Sequence, residues 1–287
     1  MRQAFKINVS FLTNHFMRKM LLFIFCSSLF SCTEKAEHAT LQQHLKSGQW
    51  IDLSYDFSDK TLYWPNNPTG FKLDTQFNGT TAAGFYYSSN AFFTPEHGGT
   101  HLDAPVHFSK GKWSADEIPL QNLLGEAIVI DVSNKTKNNP DYLITVKDAE
   151  LWEIANGTIP DDAIVLFKTG WGKFYPDAEK YLGTKAKGDS AVANLHFPSI
   201  SPELATWMVK NRKIKAVGVD VASVDYGQSK DFKTHQILYE QNIIGFENVA
   251  NMDALPAKGT FIIALPMKIK GGTGGPLRMI AWIPKTN

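Results

Sequence analysis

Cysteine is nearly absent from this chain. Its 287 residues hold two, Cys26 and Cys32, so nothing beyond position 32 can form a disulfide and a fold of this length must be held by its core. An excess of either charge is also missing. Lys and Arg number 29 against 28 Asp and Glu, a formal net charge of +1, which removes the basic footprint expected of a nucleic-acid binder. Internal repeats and low-complexity segments are lacking too. What is present is an ordinary globular composition, 43% apolar and 20% charged, enough for one large domain with a sizeable core.

No apolar run is long enough to cross a bilayer as a mature helix. Met20–Phe30, "MLLFIFCSSLF", preceded by Arg18 and Lys19, instead suits the apolar stretch of an export signal. It runs into "LFSC", Leu29–Cys32, which resembles the lipobox of bacterial lipoproteins, where the cysteine is lipidated and becomes the new N-terminus. The expectation is a signal peptide over 1–31, a polar tether over 32–48 and a folded domain over 49–287. Such a chain sits on the periplasmic side of the envelope and touches the membrane only through its lipid. Cleavage removes Arg2, Lys6, Arg18 and Lys19 and no acidic residue, leaving the mature protein mildly acidic.

Beyond Trp50 the chain alternates between two periods. "WIDLSYDF", "AIVIDVS" (127–133), "AIVLFKTG" (163–170), "KAVGVDVAS" (215–223) and "TFIIALP" (260–266) read as strands, the β-branched ones apolar on both faces and therefore buried on both. Between them, 145–155 reads as a helix with Val146, Leu151, Ile154 and Ala155 near one face. The segment 201–211 opens with an N-cap serine, Pro202 and Glu203, a helix start. Alternating strands and helices predict a single α/β domain. The last two strands, joined by the glycine-rich Gly271–Pro276, make its central β-sheet mixed, with helices flanking it.

One stretch departs from the apolar background. "HGGTHLDAPVHF", residues 97–108, holds three of the eight histidines and an aspartate. Gly98, Gly99, Thr100 and Pro105 oppose a helix here. On an extended path His101, Asp103, Pro105 and His107 alternate with Leu102, Ala104 and Val106, so the polar set faces one way. The glycines let the backbone bend so that His97 returns to the same point. Two imidazoles and a carboxylate converging there make a three-ligand metal site with room for water. Burying such groups with neither a cation nor one another would be costly.

His97, Gly99, Thr100, His101, Asp103, Pro105 and His107 match position for position the H-x-G-T-H-x-D-x-P-x-H motif of the cyclase family, whose better-known members are bacterial kynurenine formamidase and isatin hydrolase. The likeness continues through "DLSYDFSDKTLYWPNNP", "VLFKTGW", "AVGVDVASVDYGQSKDFKTH" and "ALPMKIKGGTGGP", about residues 50–285. It implies a swivelling β/β/α-like fold and two divalent metal ions, zinc or manganese. The first metal would be held by His97, His101 and Asp103, and the aspartate would bridge to a second held by His235 and Glu247. His107 would act as general base and acid, and Trp64 would line the substrate pocket. By spacing alone, His235 and Glu247 would read as surface or capping groups.

The resemblance implies hydrolysis of a non-peptide C–N amide bond in a small aromatic or cyclic substrate, by a homo-oligomer, dimer or tetramer. Phe85, Tyr86, Phe92 and Phe93 are candidates for further aromatic walls. Ser223, Asp225 and Tyr226 either orient ligands and water or simply seal a turn. His196 reads as structural. The alternative function is a non-catalytic, lipid-anchored protein that binds a metal or small ligand; loss of His107 would mark it, and His107 is present.

Overall fold

Seven strands of this chain close into a ring. The computed structural model describes residues 40–285; Cys32, the export segment and most of the tether lie outside the described residues. Two units divide the chain, Met1–His44 and Leu45–Asn287; the twelve strands among the described residues all belong to the second. They are β1 (Gly48–Asp52), β2 (Lys72–Thr80), β3 (Tyr86–Phe93), β4 (His101–Asp103), β5 (Leu124–Asp131), β6 (Leu143–Ile144), β7 (Ile164–Lys168), β8 (Ser199–Ile200), β9 (Ala216–Val219), β10 (Ile244–Glu247), β11 (Thr260–Pro266) and β12 (Gly274–Pro284). The main sheet runs β1-β12-β11-β5-β7-β9-β10-β4, and β4 pairs back onto β12, which closes the barrel.

The sheet is mixed, as the sequence implies. β5, β7, β9 and β10 are parallel, whereas β11, β12 and β4 join antiparallel. The apolar runs of β5, β7 and β9 become strands buried on both faces, but β11 alternates, with Phe261 38% and Leu265 48% exposed. Ala127, Val129, Ile164 and Leu166 point into the barrel with Leu102, Ile262 and Met279. Their neighbours Ile128, Ile130, Val165 and Phe167 face outward under helices, packing with Trp152, Leu204, Met208 and Leu238.

The helix Pro202–Asn211 begins as expected, with Ser201 Oγ accepting from the Leu204 N–H at 3.1 Å. The helix Val146–Asn156 forms too, but a different face is buried. Ala149 and Trp152 enter the core, while Leu151 and Ile154 are 47% and 82% exposed. Apolar residues lie all round this helix, and the indole, with the largest surface to bury, decides which side turns inward. Asp148 joins that side as a polar clamp, its Oδ2 accepting from the Thr145 N–H, the Thr145 hydroxyl and Tyr142 Oη.

"WIDLSYDF" is a strand only to Asp52; beyond it the chain leaves the sheet. β2 and β3 form a separate two-stranded ribbon carrying Leu73, Phe77, Tyr86, Tyr87, Phe92 and Phe93, all exposed. His196, expected to be structural, pairs with Asp141 at 2.9 Å.

Candidate metal centre

Barrel closure builds the site. β4, three residues long, lies between β10 and β12, with His101 opposite Glu247 on one side and opposite Pro276 on the other. Directly opposed residues share a face, so the register that closes the ring sets Glu247 beside His101 although they are far apart in sequence. Gly99, at φ +54°, supplies the bend before β4, and a Cβ there would meet Phe57 at 2.9 Å. Thr100 pins that bend: its hydroxyl donates to Asn248 O at 2.7 Å, and Asn248 Nδ2 donates back to Gly99 O at 2.8 Å.

The expected strand stops at Asp103. Pro105–His107 is a 3₁₀ turn in which the His107 N–H donates to Ala104 O at 2.9 Å, because proline at the first turn position favours it and contributes no ladder hydrogen. His107 thus reaches the cluster by a turn and not by alternation. Its ring stacks on His97 with centroids 3.8 Å apart and makes no hydrogen bond to another described residue. Burial holds this imidazole down at about 4, a neutral base at ordinary pH.

The other groups converge as acceptors. His101 Nδ1–H donates to Gly99 O at 2.9 Å, which leaves Nε2 as the lone-pair nitrogen of the neutral ring. That atom is buried without a hydrogen-bond partner, 3.1 Å from Asp103 Oδ1 and 3.4 Å from Glu247 Oε2. His235, on the helix Lys233–Tyr239, repeats the pattern. Its Nδ1–H donates to Asp225 Oδ2 at 2.5 Å, and its Nε2 lies 3.3 Å from Asp103 Oδ2 and 3.4 Å from Glu247 Oε1. Asp103 therefore turns one oxygen towards His97 and His101 and the other towards His235.

Lone pairs aimed at carboxylates in a buried space call for positive charge. The titration behaviour says the same. Burial disfavours the imidazolium of His101, yet the nearby carboxylates of Asp103 and Glu247 raise it to about 9. His235 is raised as well, against burial, by Asp103, Asp225 and Glu247. Burial and the Asp103 charge push Glu247 up. Nitrogen and carboxylate donors with an orphaned buried nitrogen suit a divalent cation; His101, Asp103 and Glu247 form one compact set that could hold it, and His97, Asp103 and His107 another.

A cavity of about 260 Å³ opens on this cluster. Trp64, Phe108 and Phe232 wall it, with ring centroids 6.0 Å apart for Trp64 and Phe232 and 5.4 Å for Phe108 and Phe232. Trp64 is among the residues that line the cavity. Phe85, Tyr86, Phe92 and Phe93 are not, because they project from the exposed ribbon and the pocket takes its aromatic walls from 64, 108 and 232. Ser223 lines the cavity and Asp225 orients His235, whereas Tyr226 stands outside the lining. The sequence reading missed Tyr239, whose Oη donates to Asp103 Oδ2 at 2.9 Å. It sits four residues after His235, on the same helix face, a spacing that signals the pair. Asn248, next to Glu247, was missed as well.

A model of the Cyclase family, described as "Putative cyclase", matches residues 51–226. The chain belongs to this family. Isatin hydrolase of Roseibium aggregatum is 33% identical over 210 residues, 70% of this chain and 77% of that protein. Kynurenine formamidase of Salinibacter ruber is 26% identical over 238 residues, 80% of this chain and 95% of that one. Among solved structures, isatin hydrolase A from Labrenzia aggregata, bound to benzyl benzoate, superposes with a TM-score of 0.76 at 30% identity, over 86% of this chain and all of that one. An isatin hydrolase bound to the product analogue thioisatinate gives 0.75 at 27%, over 93% and 99%.

Proposed function

We propose that this member of the cyclase family is a metal-dependent hydrolase of a non-peptide C–N amide bond in a small aromatic or cyclic molecule, N-formylkynurenine- or isatin-like. One observation carries the reading: two imidazole Nε2 atoms and two carboxylates meet in a buried space beside His107, whose ring stacks on His97 and hydrogen-bonds to no other described residue. His97, His101 and Asp103 would hold one divalent ion, and Asp103, His235 and Glu247 a second, zinc or manganese. Bound there, such ions supply Lewis-acid polarisation of the acyl carbonyl and a lowered pKa for water.

The chain's own groups do the rest. Asp225 and Gly99 O fix the tautomers of His235 and His101, so both present Nε2. Trp64, Phe108 and Phe232 seat a flat substrate. His107 takes a proton from the attacking water and delivers it to the nitrogen as the C–N bond breaks, leaving an acid and an amine. Relatives named for isatin and for kynurenine support a substrate with an aromatic ring and an acyl–nitrogen linkage.

The test is turnover of N-formylkynurenine, isatin and a panel of lactams by metal-loaded protein. His107→Ala should abolish it while leaving bound metal near normal. A protein that binds metal but hydrolyses none of these, or a variant that keeps full activity, overturns the reading; the former outcome returns the non-catalytic binder.

Two further readings belong here. We propose a homo-oligomer, supported by the exposed apolar ribbon of β2 and β3. We also propose export as a lipoprotein of the periplasmic face, supported by "LFSC" behind Arg18 and Lys19; Cys32→Ala should abolish palmitate labelling and membrane association.

A further inference from the structure

The glycine-rich run Gly271–Pro276 passes behind His97. A Cβ on Gly274 would lie 2.4 Å from Leu102 O and 2.7 Å from the His97 ring, and one on Gly272 would lie 2.8 Å from Glu96 Oε1. Only Thr273, between them, reaches into that space. Its Oγ1 stands 2.8 Å from His97 Nε2 and 2.5 Å from Glu96 Oε2. Its backbone N–H donates to the same Glu96 oxygen at 3.1 Å.

Counting protons gives this chain a direction. As a carboxylate, Glu96 can only accept. Thr273 has one hydroxyl proton and gives it to Glu96, so its oxygen has only lone pairs left for His97. His97 Nε2 must therefore carry a hydrogen and donate it. The lone pair of the neutral ring then sits on Nδ1, which faces Asp103 Oδ1 at 2.7 Å. Two such groups approach that closely with either a proton or a metal cation between them.

We propose that Thr273, oriented by Glu96, is a positioning residue that fixes the Nε2–H tautomer of His97. His97 then offers Nδ1 to a divalent cation, whereas His101 and His235 offer Nε2. This rests on the metal reading of the site. It also accounts for the glycine run, because the small residues leave room for His97 and Glu96 while the single side chain sets the histidine's polarity.

The variant Thr273→Val keeps the shape and the backbone anchors of the loop, Ala104 N–H to Thr273 O and Ala115 N–H to Gly272 O, both 2.8 Å. Zinc affinity of metal-depleted protein, measured by competition with a chromophoric chelator, should fall about 10- to 100-fold. Thr273→Ser should restore it. In zinc-loaded wild type, ¹⁵N-histidine NMR should place the coordinated nitrogen of His97 at Nδ1. If Thr273→Val binds zinc as tightly as wild type, or the spectrum shows Nε2 coordinated, the relay is overturned while the metal site stands. Wild-type protein that binds no divalent metal overturns the metal reading and the relay with it.

Discussion

His101 and Glu247 are cross-strand partners on β4 and β10, and His101 Nε2 lies 3.4 Å from Glu247 Oε2 without a hydrogen bond between them. The pair makes sense with a cation and is a liability without one. Glu247→Gln keeps the shape and removes the charge. It should lose bound metal by elemental analysis, because the carboxylate faces both His101 and His235. Without metal the same variant should be no less stable than wild type, melting between equal and about 3 °C higher, since burial beside Asp103 already strains this carboxylate. Retention of a full metal complement would remove Glu247 from the ligand set.

Removal of metal is the complementary experiment. A ligand that binds only the folded state stabilises it by about 4 kcal/mol at a thousandfold excess over its Kd. Chelation should lower the melting temperature by several degrees and zinc or manganese should restore it, while Glu247→Gln responds weakly. An unchanged melting curve on chelation contradicts a structural share for the ion.

How much of the site is legible in the sequence depends on whether a contact is local. His101 and Asp103 declare themselves through alternation, and the bend at Gly99 through its glycine. His107 lies on the predicted side of the cluster, but the proline turned a strand into a 3₁₀ turn. His235 and Glu247 carry no spacing signal, because sheet register and a distant helix bring them in; only the family resemblance pointed to them. Thr273 was invisible for a related reason, since its role exists only once β12 is laid against β4. Aromatic content says nothing of which rings meet a pocket, and so Phe85 and Phe92 read like walls.

The helix Val146–Asn156 gives the same lesson a number. Trp152 is 8% exposed within the outer core and Ile154 is 82% exposed. Trp152→Ala should cost about 3–5 kcal/mol, and Ile154→Ala should stay within about 0.5 kcal/mol of wild type. Denaturant melts of the two variants decide it; comparable losses would mean the helix buries its other face.

Asp148 makes stability pH-dependent. Burial opposes its charge, but Lys135, Thr145 and Tyr142 prevail and hold the carboxyl below its ordinary value. A depressed carboxyl contributes stability above the unfolded value, near about 3.9, and loses it as pH falls through the folded value. Asp148→Asn should therefore cost about 1–2 kcal/mol at pH 7, and the gap to wild type should close below pH 4. A gap that persists in acid would assign the loss to shape rather than charge.

The ribbon of β2 and β3 tests the assembly. A lone two-stranded ribbon is marginal in water, and this one exposes apolar rings on residues where a monomer gains nothing from them. Leu73 and Phe92 are directly opposed. With Phe71 they continue into an apolar groove lined by Leu265, Met267 and Leu277, so one side of the ribbon and the edge of the barrel form a single uncovered surface. A second copy that offers the same surface would cover both at once, as a twofold contact requires. Replacing Leu73 and Phe92 by serine touches no group of the metal cluster. In light scattering coupled to size exclusion the double variant should run as a smaller species than wild type, with its metal content kept. Wild-type protein that is monomeric at micromolar concentration would overturn the oligomer and leave the ribbon's rings without a partner copy.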